Sequence, residues 1–108
     1  MANVFKNQLQ AAVGTSPVTM YTAGAGVSTT VIGMTIANIL TVPITANVIV
    51  TSSASDYYMV KMATIDPGSS LITIGGEQKL GLEATDSLKV STSNASAADV
   101  ILSLLEIT

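Results

Sequence analysis

The chain contains no cysteine, histidine, tryptophan or arginine. Without cysteine, disulfides and thiolate metal sites are excluded. Without histidine, the usual general base and the commonest transition-metal ligand are missing. The four lysines, Lys6, Lys61, Lys79 and Lys89, are scattered among seven carboxylates, and the net charge is −3. Phosphate recognition needs clustered Lys and Arg, so nucleic acid is not expected as a partner. Charge itself is scarce: 10% of the chain, against about a quarter in ordinary soluble domains. Residues 7–55, between Lys6 and Asp56, carry none. A surface without charge is covered by lipid or by protein.

The start Met-Ala-Asn-Val-Phe-Lys lacks a basic segment followed by an apolar one, so no secretory signal is expected. The most apolar stretch, Val31 to Val50, has the length of a membrane helix. Its contents argue otherwise. Thr35, Asn38, Thr41, Thr45 and Asn47 run through it, Pro43 interrupts it, and no Lys, Arg, Trp or Tyr anchors either end. Val, Ile and Thr dominate, and β-branched residues favour strands. Ile32, Met34, Ile36, Asn38 and Leu40 alternate with smaller residues, and after Pro43 a second run places Ile44, Ala46, Val48 and Val50 on one face. Two strands around a Pro-containing turn account for the segment, and no membrane partner is expected.

The same pattern continues along the chain. Val18 to Ala23 alternates and stops at the loop Gly24-Ala25-Gly26. Tyr57 to Ile65 alternates and ends at Asp66-Pro67-Gly68-Ser69, where Pro presets φ and Gly accepts φ > 0. Leu71–Ile74 and Lys79–Leu82 flank Gly75-Gly76-Glu77-Gln78, a pattern that predicts a hairpin with a four-residue loop. Leu88–Val90 is a short strand, and Asp99–Thr108 is a final apolar one. Ser52–Ser55 and Ser91–Ala98 are small-residue loops. Short strands with turns every 8–12 residues predict one all-β domain. The expected fold is a β-sandwich of about eight antiparallel strands, immunoglobulin-like or jelly-roll-like, since periodicity does not reveal strand order. Residues 1–13 are expected as an N-terminal arm or edge strand, a candidate for exchange between neighbours, and 14–108 as the sandwich.

Candidate chemistry is sparse. The Gly24/Gly26 and Gly75/Gly76 loops lead into strands and not into a helix N-terminus, so turn glycines fit better than a phosphate cradle. Glu83 with Asp86, and Asp56 with Asp66, are the paired carboxylates. A glycosidase needs two carboxyls across a cleft, generally with aromatic platforms, and Phe5 is the sole Phe. Calcium needs only oxygen ligands, but no Asp-x-Asp-x-Asp loop is present. Solvated turn carboxylates are the better account, so no catalytic, metal or cofactor residue is assigned and no small-molecule substrate is expected. Tyr57 and Tyr58 point to opposite faces of a strand, which predicts one in the core and one as an interface anchor or sugar platform. The expected interface residues are Val4, Phe5, Leu9, Tyr21, Tyr57 and Tyr58.

Several segments carry a family resemblance: Val13-Gly-Thr-Ser-Pro-Val-Thr-Met-Tyr-Thr22, Gly24–Val31, Ile32-Gly-Met, Ile74-Gly-Gly-Glu-Gln-Lys-Leu-Gly-Leu-Glu83, Asp86-Ser-Leu-Lys-Val90 and the ending Asp99-Val…Leu-Leu-Glu-Ile-Thr108. In these the chain resembles small virion structural proteins of tailed phages, particularly cyanophages and other marine phages. The resemblance implies an all-β, non-enzymatic protein of a family variously placed among capsid decoration or cement proteins and among tail- or fibre-associated proteins; a capsid decoration protein is the expectation. Tail, neck or fibre placement is the alternative, as is a virion-displayed host-surface or glycan-binding module. With that expectation go the major capsid protein and copies of the chain itself, as a trimer or dimer, as partners. The expected location is the capsid exterior, after synthesis in the host cytoplasm. On this view residues 7–55 contribute more than their share of subunit contacts, and the later charges face solvent.

Overall fold

The structure, a computed structural model, describes residues 3–74 and 79–108. Nine strands make up its regular structure: β1 (Asn3–Val13), β2 (Val18–Thr22), β3 (Ser28–Asn38), β4 (Ile44–Ser52), β5 (Ser55–Ile65), β6 (Ser70–Ile74), β7 (Leu80–Leu82), β8 (Ser87–Thr92) and β9 (Ala98–Ile107). Among the described residues there is no helix, and so none long and apolar enough to cross a membrane.

The strands form two antiparallel sheets. One has the order β1-β9-β3-β6, with β7 also on β3; the other has the order β2-β8-β4-β5. Because β9 takes one edge of β3 along its whole length, β6 and β7 share the other edge. They lie end to end there, with Ile74 opposite Met34 and Leu80 opposite Val31. The expected hairpin between these two segments is therefore corrected: they are two pieces of one interrupted edge strand. The glycine loop assigned to that hairpin, 75–78, lies outside the described residues.

With β6 and β7 counted as one strand, the orders become two sheets of four in which consecutive strands cross between sheets at nearly every step. That is a jelly roll. An immunoglobulin-like sandwich keeps more consecutive strands within a sheet. Only β4 and β5 are joined here as a hairpin within one sheet, through Ser53 and Ala54.

The core lies between the sheets. Val31, Met34 and Ile36 of β3, Val100, Leu102 and Leu104 of β9, Ile44, Ala46 and Val48 of β4, and Leu88 and Val90 of β8 are all buried in one cluster. Alternation accounts for most of this, with one correction on β3. The register against β9 shifts between Val31 and Gly33. This bulge sends Val31 into the core beside Met34, and leaves Ile32 only half-buried.

Polar groups inside the sandwich are hydrogen-bonded. Buried Asn38 ends β3, and its amide nitrogen donates to the carbonyls of Val42 (2.9 Å) and Ile65 (3.0 Å). Its side-chain oxygen accepts from the Leu40 amide at 2.8 Å. One asparagine thus fixes the corner at which the chain leaves one sheet for the other. At Asp66-Pro67-Gly68-Ser69 the Ser69 amide donates to the Asp66 carbonyl (3.0 Å), with Gly68 at φ 73°, as the sequence predicts.

Candidate assembly surface

Strand pleating places alternate residues of each strand on the outer face of its sheet. On the five-stranded sheet, the odd residues of β1 and β9 point outward. Register aligns Leu9 with Ile101, Ile101 with Thr35, and Thr35 with Ile72. A second row aligns Phe5 with Leu105 and Thr30. Phe5, Leu9, Ile72 and Ile101 are between 54% and 70% exposed. These exposed apolar side chains, aligned by register with Thr35 between Ile101 and Ile72, make an apolar face of the kind that marks an interaction site. Along the same face of the described strands the charged residue is Asp99, at the end of β9, where its carboxylate accepts from the Ala12 amide at 3.0 Å. Two open depressions run along the β1–β9 pair, one lined by Phe5, Lys6, Asn7 and Ser103, the other by Leu9, Gln10, Ala11 and Ile101 among others.

The outer face of the four-stranded sheet differs. Lys89 lies between Thr19 and Ile49, and Asp56 lies opposite Thr51, whose hydroxyl donates to it at 2.7 Å. Lys61 sits 5.0 Å from the Tyr58 ring. This face carries charge of both signs.

The free edges differ as well. Exposed strand edges recruit other strands unless they are short, bulged, charged or interrupted. β2 is five residues long and its register shifts next to Met20. β5 carries Asp56 and Lys61, and its register against β4 shifts twice, with Met62 at φ 55°. The β6/β7 edge is interrupted. β1 pairs with β9 without a break from Asn3 to Gln10, and bulges only near Ala12, at φ 54°. Its one charge, Lys6, is tied 3.0 Å from Glu106 Oε1 on β9.

That ion pair belongs to a network joining the two sheets. The Tyr21 hydroxyl of β2 donates to Glu106 Oε2 and lies 2.9 Å from Thr29 Oγ1 of β3. Burial, and then the Glu106 carboxylate, push the Tyr21 phenol above its usual value of 10.0. The Tyr21 hydrogen bond, and then Lys6, hold the Glu106 carboxyl below its usual 4.5.

The six residues expected at an interface are thus separated. Phe5 and Leu9 lie on the outer face of the five-stranded sheet, and Val4 is exposed on the opposite side of β1. Tyr21 is 6% exposed, with its hydroxyl inside the network, and offers no surface to a partner. Tyr57 and Tyr58 are 60% and 53% exposed. The expectation that one of them is core is corrected: the sandwich covers neither side of β5 at that end. Ile72 and Ile101 escaped notice because isolated apolar residues become a patch only once register aligns their strands. Of the candidate carboxylates, Asp56 accepts from Thr51, and Asp86 Oδ2 accepts from the Glu83 amide at 3.0 Å, closing the turn between β7 and β8. Among the described residues, no three His, Cys, Asp or Glu side chains group as a metal site.

No family model matches the chain, and no curated protein matches it. Among solved structures, the chain is similar to one from Bacillus endospore appendages, described as disulfide-linked pili, with a TM-score of 0.59 and 11% identity over 99% of this chain and 87% of the other. It is also similar to a chain of the T13 IBDV viral particle, with a TM-score of 0.50 and 8% identity. That match covers 96% of this chain and 35% of the viral one, so the chain spans about a third of its length. At such identities the likeness is one of fold.

Proposed function

We propose that the chain is a non-enzymatic structural protein of a bacteriophage virion, a capsid decoration protein that lays the outer face of its five-stranded sheet against the shell. The observation that carries this reading is the nearly charge-free face bearing Phe5, Leu9, Ile72 and Ile101. Stable contacts bury on the order of 1,200–2,000 Å² and have cores depleted in charge. A face of Thr, Ser, Asn, Gly and apolar residues, with Asp99 at one end, meets that requirement with little charge to desolvate. The sequence resemblance to tailed-phage virion proteins supports the same reading. So does a fold shared with chains of a pilus and of a viral particle. Since the chain has no cysteine, it forms no disulfide link of the kind named for those pili. The partners are the major capsid protein and further copies of the chain, on the capsid exterior, after synthesis in the host cytoplasm.

Purified particles test this directly. Copy number comparable to that of the shell protein is expected, and Ile72→Lys with Ile101→Lys should release the protein from particles without unfolding it. A copy number matching the tail's low symmetry would move the protein to the tail, neck or fibre. Exposed Tyr57 and Tyr58, beside Lys61, favour a second reading as a displayed glycan-binding module. Glycan binding lost in Tyr57→Ala and Tyr58→Ala would establish that activity.

A further inference from the structure

Among the described residues every strand edge of the sandwich is blunted except β1, and the sequence of β1 is nearly self-complementary. Around Asn7 the chain runs Val4-Phe5-Lys6-Asn7-Gln8-Leu9-Gln10, so the two large outer-face residues, Phe5 and Leu9, are equidistant from Asn7. We propose that two copies of the chain pair antiparallel along β1, about a twofold axis through Asn7, fusing their five-stranded sheets into one. This deepens the structural reading above by naming the contact between copies.

Register selects this arrangement over its neighbours. A twofold axis perpendicular to the sheet keeps both outer faces on one side, so odd residues of β1 must oppose odd ones. Centred on Asn7, Phe5 lies beside the second copy's Leu9, Lys6 beside its Gln8, and Asn3 beside its Ala11. Shifting the centre to Lys6 puts two lysines directly opposite, which is destabilising. Shifting it to Gln8 sets Phe5 against Ala11 and Leu9 against Asn7, and the apolar pairing is lost. Of these three registers, the one centred on Asn7 extends the rows. Ile72, Thr35, Ile101 and Leu9 of one copy then continue into Phe5 and Leu105 of the other. Backbone groups left open along the β1 edge gain partners, and the nearly charge-free face doubles in width. Lys6 keeps its ion pair with Glu106 on β9 of its own chain.

The absence of cysteine gives a clean test. Opposed residues of antiparallel strands have Cα atoms about 4.5–5.5 Å apart, within disulfide reach. Asn7→Cys should therefore cross-link with itself under mild oxidation. Asn3→Cys and Ala11→Cys should each stay unlinked alone and link when mixed. Gln8→Glu, facing the second copy's Lys6, should tighten the dimer, and Gln8→Lys should loosen it, each by roughly 2- to 30-fold in dissociation constant by sedimentation equilibrium. All of these sites are exposed, so circular dichroism should be unchanged. A monomeric wild-type protein, or Asn3→Cys linking with itself as readily as Asn7→Cys, would overturn the pairing. A dimer with this cross-linking pattern that is absent from purified particles would uphold the pairing and refute the virion reading.

Discussion

The two outer faces of the sandwich are built from the same kinds of strand, yet one carries charges of both signs and the other almost none. Lys89 and Asp56 stand on the four-stranded face, while Phe5, Leu9, Ile72 and Ile101 stand on the five-stranded one. Folding does not require this difference, since strands of both sheets send their buried residues into the one core between them. It teaches that charge poverty in residues 7–55 has two separate causes. β3 and β4 each lie between two other strands of their sheets and send most of their apolar residues into the core, so burial explains their composition. β1 is as uncharged beyond Lys6 but is exposed on both sides up to Ala12, so its composition points to a partner.

Adjacent residues on β9 sharpen the comparison most. Leu102 is fully buried and Ile101 faces outward. Leu102→Ala should cost about 2–5 kcal/mol by urea denaturation. Ile101→Ala should stay within about 0.5 kcal/mol in the isolated chain. A comparable loss at both positions would mean that the outer face is part of the fold and not an interface. Next comes the corner between the sheets: Asn38→Leu leaves the Val42 and Ile65 carbonyls and the Leu40 amide without their partner, and a loss of about 1–3 kcal/mol is expected. The β4–β5 hairpin offers a gain. Ser53 and Ala54 both sit at positive φ (51° and 64°), and relieving one residue through Ala54→Gly should stabilise by about 1 kcal/mol in thermal or urea unfolding.

The smallest effect is linked to pH. Because Glu106 ionises more readily in the folded chain than in the unfolded one, its contribution is present at neutral pH. It falls away as the pH drops below the ordinary carboxylate value of 4.5 towards the lowered folded one. For Tyr21 the sign is opposite: its raised value makes the contribution complete below 10.0 and lost as alkali titrates the folded phenol. Glu106→Gln should flatten the acid limb of a stability–pH profile while leaving the strand content unchanged.

Much of this architecture was legible in the chain itself. Alternation and β-branched content predicted strands across Val31–Val50, and Pro43 predicted the break between them. Asp66-Pro67-Gly68 announced its turn because each residue has a specific backbone role there. Other features carried no local signal. Ser53-Ala54 lacks the glycine or asparagine that usually marks a two-residue hairpin, and the β3 bulge leaves the residue pattern unchanged while shifting which face it serves. The separation of β6 from β7 depends on pairing with β3, a long-range fact. For the candidate surface, Phe5 and Leu9 stood out as apolar residues in a polar setting. Ile72 and Ile101 carried no signal of their own until register aligned their strands, and Tyr21, expected at an interface, is closed over at its hydroxyl by Glu106, far along the chain.

The central claim is that the outer face of the five-stranded sheet, with its β1 edge, exists to be covered. Sedimentation equilibrium of the Phe5→Lys/Leu9→Lys double variant against the unaltered chain tests it most directly. The account predicts that the unaltered chain self-associates and that the variant is monomeric with an unchanged urea midpoint. Undiminished self-association of the variant would contradict it.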